Sequence, residues 1–274
     1  MHRTISGALA VVVLAWSSPL VAQGDGSDWQ LAGLRSVFCV QLLMDPASDV
    51  VKDLPAGFRP APASESKDLH ISLRSVIDGQ PEYASWSPSH LCFHAVDTIQ
   101  TSTYRLGNGN PRRPQLFGYW TVTAVSPSGE PRDVTLELFA SSGRLVRSAR
   151  LAGQTMREAR LEVGKVPETD ENGVPSTEDR FQVRLGKSLV TWDGHLAGDR
   201  LGLEGPVTTA WVNSGPKKAV AEGRVTLRPR FSRAMVGSLK VEGKDALAKA
   251  LRASPTRFAG PVYWGGTGKV EFKP

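Results

Sequence analysis

The chain has 274 residues, 33 Lys+Arg against 27 Asp+Glu for a formal charge of +6, and is 40% hydrophobic and 22% charged. That composition excludes a disordered or collagen-like chain, and the length suffices for one large core or two small ones. The basic residues are scattered apart from pairs such as Arg112-Arg113 and Lys217-Lys218, so the clustered stripe of a nucleic-acid footprint is missing and no nucleic-acid partner is expected.

At the start of the chain, His2 and Arg3 precede an apolar run from Ala8 to Trp16, and Leu20-Val21-Ala22 ends in a small residue. This is the pattern of a secretory signal peptide cleaved after Ala22. The run is shorter than the roughly 20 apolar residues a bilayer requires. No later segment is long and apolar enough to cross, so a soluble chain exported to the periplasm or beyond is expected. Cys39 and Cys92 are the only cysteines. In an oxidising compartment such a pair reads as a disulfide. Closing a loop of that length stabilises the fold by about 4 kcal/mol in the chain-entropy account.

Asp45-Pro46-Ala47-Ser48 carries an N-cap aspartate and a proline at the first helical position, which predicts a short helix stopped by Leu54-Pro55-Ala56-Gly57. Period-two alternation predicts strands at Leu69–Leu73, Tyr119–Thr123, Val134–Leu138 and Val225–Leu227. Ser128-Gly129, Asn108-Gly109 and Ser214-Gly215 supply turns between strands. A second short helix is predicted from Lys244 to Leu251, with Leu247 and Leu251 on one face and Pro255 beyond its end. Trp120 stands fourteen residues before Val134, and Trp211 fourteen before Val225, which suggests a repeated unit. The alternative is that two meanders share strand-forming residues. The expected fold is therefore mainly β: antiparallel sandwich or barrel-like halves, possibly duplicated, with two short helices. The polar, acidic stretch around 168–179 reads as a linker. It would separate an N-terminal β-rich domain, 23–167, from a C-terminal one, 180–274, after a signal peptide at 1–22.

Three clusters could carry chemistry. On a strand, His90, Cys92 and His94 point to one face, a ligand set that zinc or copper accepts. A disulfide through Cys92 would leave His90 and His94 alone. Tyr263 and Trp264 sit among small residues in Gly260–Gly266, where rings could face a ligand. Trp120 and Trp211 read instead as core anchors. Lys217-Lys218 follows Gly215-Pro216, in turn sequence that also suits a solvated hairpin tip.

Pro216-Lys217-Lys218-Ala219-Val220-Ala221 resembles the Pro-Lys-Lys segment of acetoacetate-decarboxylase-like proteins. Asp45-Pro46 with Leu54-Pro55-Ala56-Gly57-Phe58-Arg59-Pro60 is similar to their opening. Together these segments cover fewer than thirty residues, and Gly215 stands where the family has an aromatic residue. The resemblance implies a Schiff-base enzyme in which the Lys217 amine attacks a carbonyl and Lys218 depresses its pKa, since only the neutral amine is nucleophilic. No Gly-x-Ser-x-Gly elbow, His-Glu-x-x-His helix or Walker loop occurs. No cofactor is implied. From the residues alone, the leading expectation is a non-enzymatic binding or structural module for a small, partly apolar ligand or a glycan. The Schiff-base enzyme and metal binding through His90 and His94 are its alternatives.

Overall fold

The computed structural model describes residues 28–49, 51, 54–66, 69, 71–107, 114–169, 175–185, 187–214, 220–255, 257–260 and 262–273. Residues 1–22, expected as a signal peptide, and Lys217 and Lys218 lie outside them. In chain order the first elements are β1 (Asp28–Met44), β2 (Arg59–Pro60), α1 (Ile71–Gly79), β3 (Ser87–Gln100), β4 (Arg105–Leu106), β5 (Gln115–Val125) and β6 (Pro131–Ala140). Next come α2 (Gly143–Leu151), β7 (Arg157–Glu158), β8 (Arg160–Thr169), β9 (Pro175–Leu185) and β10 (Ser188–Gly202). The chain then forms β11 (Val207–Ser214), β12 (Val220–Glu242), α3 (Ala246–Ala253), β13 (Arg257–Ala259) and β14 (Val262–Lys273).

The mainly-β, barrel-like expectation holds. Neighbouring strands run in the order β11-β6-β5-β3-β1-β14-β12, and β12 pairs back onto β11, so the sheet closes into a ring. Every contact in the ring is antiparallel except β6 with β11, which are parallel and meet at a single rung, Val212 opposite Val134. The 23-residue β12 is shared between two parts of the sheet. Its first part closes the ring, and its second part pairs with β10, from which β9 and β8 extend as an arm.

Alternation along the strands sends one set of side chains inward and the other outward. One apolar cluster draws on every strand of the ring, including Trp29, Val96, Phe117, Tyr119, Leu138, Trp211, Val225 and Phe272, and so fills its interior. Leu145, Val146 and Ala149 of α2 join that cluster and close one end. The opposite face carries Phe38, Leu42, Phe93 and Trp120. It is covered by Trp192 and Leu239 from the arm and by Leu247 and Leu251 of α3. Burying each such side chain stabilises the fold by about 1.5–3 kcal/mol, so this two-sided packing dominates its stability. Trp120 and Trp211 are core anchors, as expected, but on opposite sides of the sheet.

Several local expectations are corrected. The segment after Asp45 is a series of turns: the Ala47 amide donates to Asp45 Oδ1 at 2.8 Å and the Ser48 amide to Asp45 O at 3.0 Å. The aspartate caps a turn that does not propagate. Leu69–Leu73, expected as a strand, runs into α1, because Leu73, Val76 and Ile77 share a helical stripe that packs, with Leu69, against Leu43 and Trp86. Among the described residues there are three α-helices rather than two, α1 and α2 both being unanticipated. Most of 168–179 belongs to strands, β8 and β9 pairing as far as Thr169 opposite Pro175. The predicted strands at 119–123, 134–138 and 225–227 and the helix before Pro255 form as expected. No helix among the described residues is long and apolar enough to cross a membrane.

Candidate functional site at the barrel mouth

On the inward face of β1, β3, β5 and β6, successive rungs change character. One rung is Cys39, Cys92, Tyr119 and Leu138; the next is Gln41, His90, Thr121 and Thr135. The register of β6 shifts by one residue between these rungs, where Leu136 forms a bulge. That extra residue turns Thr135 and Asp133 inward, a usual effect of a bulge on side-chain direction. Thr123 Oγ1 then donates to Asp133 Oδ1 at 3.0 Å.

Beyond the polar rung, Leu43 packs against Ala63 and Leu73, so the turn Ala63–Glu65 and α1 cap this end of the barrel. Between cap and sheet lies a cavity of about 720 Å³. The strands contribute Gln41, His90, Thr123 and Asp133 to its lining. The cap contributes Arg59, Glu65, Leu69 and Leu73, the β5–β6 turn contributes Gly129, and the start of β6 contributes Arg132. Gly129, at φ 86, takes the left-handed conformation that lets this turn close. Arg59 faces Glu65 at 3.5 Å and Arg132 faces Glu130 at 3.2 Å, in exposed pairs. Gln41 Oε1 and Thr121 Oγ1 are buried without a hydrogen-bond partner, although buried polar atoms are nearly always satisfied.

The sequence placed His90, Cys92 and His94 on one face, and the strand does so. The cysteines are joined to each other across β1 and β3, which takes both sulfurs as expected. The two histidines have different surroundings. His90 lines the cavity, whereas His94 is 1% exposed, with its ring 5.3 Å from Phe117 and 5.4 Å from Tyr119. Burial holds the His94 pKa down to about 4, so its imidazole is neutral at neutral pH. Among the described residues no three His, Cys, Asp or Glu side chains gather as a metal site.

Tyr263 and Trp264 diverge. Tyr263 packs against the barrel interior, and burial raises its phenol pKa. Trp264 lies beside Phe231, over which the Arg200 guanidinium sits at 3.2 Å. Neither lines the cavity. Lys187, Lys240, Lys244, Lys249 and Lys273 are exposed, and Lys269 is held by Asp28 and Glu271 at 3.0 and 2.9 Å. The mouth residues Gln41, Arg59, Arg132 and Asp133 were not singled out from the sequence. A polar residue at 41, within the inward series Val37, Cys39, Gln41 and Leu43, was the available signal.

No protein-family model matches the chain, and no curated protein does. Among solved structures, it is similar to the enduracididine biosynthesis enzyme MppR complexed with pyruvate: 13% identity, TM-score 0.51, covering 89% of this chain and 88% of that one. MppR with HEPES buffer bound matches at 13% identity and TM-score 0.49, over 98% and 96% of the two chains. An acetoacetate decarboxylase-like enzyme from Sphingomonas wittichii RW1 matches at 11% identity and TM-score 0.45, over 97% of each. The expected non-enzymatic binding or structural module is thereby corrected: the solved chain whose fold is shared over 89% of this one is an enzyme. In fold, this chain resembles the acetoacetate-decarboxylase-like proteins.

Proposed function

We propose that the chain is an acetoacetate-decarboxylase-like enzyme acting on an oxo acid at the barrel mouth. The observation that carries this proposal is a closed barrel ending in a cavity of about 720 Å³ that presents Arg59, Arg132 and His90. The likeness in fold to an enzyme solved with pyruvate supports it. Arg59 and Arg132 suit a carboxylate, which a guanidinium binds through two parallel N–H donors. Their present partners are exposed ion pairs, each worth about 0–1 kcal/mol, so a substrate carboxylate competes for them readily.

In this proposal the amine is that of Lys217 and the neighbouring cation Lys218, both outside the described residues, between Ser214 of β11 and Val220 of β12. The amine adds to the ketone carbon and water leaves. The resulting protonated imine accepts the electron pair released when a bond at the adjacent carbon breaks. His90, within the cavity, moves the accompanying proton. Export through residues 1–22 belongs to the same proposal.

Borohydride reduction in the presence of pyruvate tests it. A covalent mass gain mapped to Lys217, and lost in a folded Lys217→Ala variant, is the expected result. Absence of any adduct with a panel of oxo acids overturns the imine. A second reading rests on His90 lining the cavity when no described lysine does: proton transfer by His90 with Asp133, without a covalent intermediate. Turnover without an adduct, abolished by His90→Gln, would select it.

A further inference from the structure

We infer that the substrate of this site is an extended, oxygen-bearing acid, held along its chain by Gln41 and His90, rather than a three-carbon oxo acid. The inference rests on the barrel-mouth site being the catalytic one. Its first ground is size. At about 720 Å³ the cavity falls within the roughly 300–1,000 Å³ of sites that enclose molecules of many atoms. Water occupies about 30 Å³ per molecule, so this space holds on the order of two dozen waters. A three-carbon acid would displace a small share of them and leave the rest of the wall in contact with solvent.

The second ground is the chemistry of the wall. Every inward residue of the neighbouring rung, Cys39, Cys92, Tyr119 and Leu138, belongs to or packs against the apolar core, and then four adjacent strands each present a polar residue at one level. Thr135 satisfies itself on the Val212 carbonyl at 3.2 Å. Gln41 Oε1 has no partner and lines the cavity. Leaving a buried polar atom unsatisfied carries a desolvation cost, which a ligand hydroxyl would relieve by donating to Gln41 Oε1. Arg59 and Arg132 stand at the mouth, so the acid end lies outward and the oxygenated chain lies against the sheet.

Calorimetric binding of pyruvate, 2-oxohexanoate and 2-oxogluconate to the full chain separates the possibilities without requiring turnover. The six-carbon hydroxylated acid is expected to bind about tenfold or more tightly than either other acid, as sites with unpaired polar groups discriminate strongly for hydroxyls. Gln41→Leu should reduce that preference. A melting curve would establish that the variant folds. Equal affinity for the two six-carbon acids, or a preference untouched in a folded variant, overturns the inference. A hydroxylated acid that binds without a borohydride adduct removes the imine but leaves this inference standing. An adduct with pyruvate and no hydroxyl preference does the reverse.

Discussion

At the scale of single residues, His94 makes acid sensitivity a property of the core. Its pKa is about 4 when folded and 6.5 when exposed, so between those values the unfolded chain binds the extra proton. Stability is therefore complete above about pH 6.5 and declines as the pH falls, by about 1.4 kcal/mol per pH unit, to a total of roughly 3 kcal/mol near pH 4. Glu137 works in the opposite direction, since burial raises its carboxyl pKa against the pull of Arg157. The informative quantity is thus the difference between wild type and His94→Phe, which keeps a flat ring between Phe117 and Tyr119. Melting temperature should decline less steeply from pH 6.5 to 4.5 in the variant, and equal slopes would show that His94 does not govern acid stability. Of these residues, the sequence disclosed the shared face of His90, Cys92 and His94 and the cysteine pairing. It did not disclose which histidine meets a cavity, because that depends on a cap contributed by residues 59–73.

At the scale of elements, α3 shows why some segments were legible and others were not. Asp245 accepts from the Ala248 amide at 2.9 Å and also from the Ser188 hydroxyl, so one carboxylate starts the helix and ties it to β10. Losing an N-cap of this kind costs about 1 kcal/mol, and the second bond adds to it. Asp245→Ala should lower the melting temperature by about 3–6 °C, whereas Asp245→Asn, which still accepts the Ala248 amide, should retain most of the stability. Equal losses in the two variants would assign the effect to charge rather than capping. The same cap-and-proline signature at Asp45-Pro46 is followed by turns among the described residues 46–49, although Val51 and Leu54 reach the core. At α1 the error ran the other way. Leu69, Ile71 and Leu73 satisfy a period of two, yet Leu69, Leu73, Val76 and Ile77 also fit a helix, and packing against Leu43 chose the helix. Short apolar runs are compatible with both periods, so tertiary contacts decide.

At the scale of the whole molecule, the sequence indicated strands but not their closure, because the contact that completes the ring is non-local and slight. β6 and β11 share only the Val212–Val134 rung, so the barrel relies on what fills it near that seam. Trp211 does so: it is 2% exposed and stacks on Tyr119 at 5.1 Å, with its indole lying directly over Gly223 of β12. A Cβ added at Gly223 would lie 2.3–2.5 Å from three indole atoms, so ring or strand would have to move. The ring is confined by Tyr119, and the strand is held on both sides by β11 and β14. Overpacking at such a place costs about 1–3 kcal/mol, and here the displaced group also supports ring closure. Gly223→Ala should therefore lower the melting temperature by about 5–10 °C, while Gly202→Ala, with no atom within 4 Å of the new Cβ, should change it little. Trp211→Phe shortens the ring over the glycine, so Gly223→Ala should cost less in that background than in the wild type. A double-mutant cycle measures this coupling directly, and strictly additive losses would mean that the indole is not what excludes a side chain at 223.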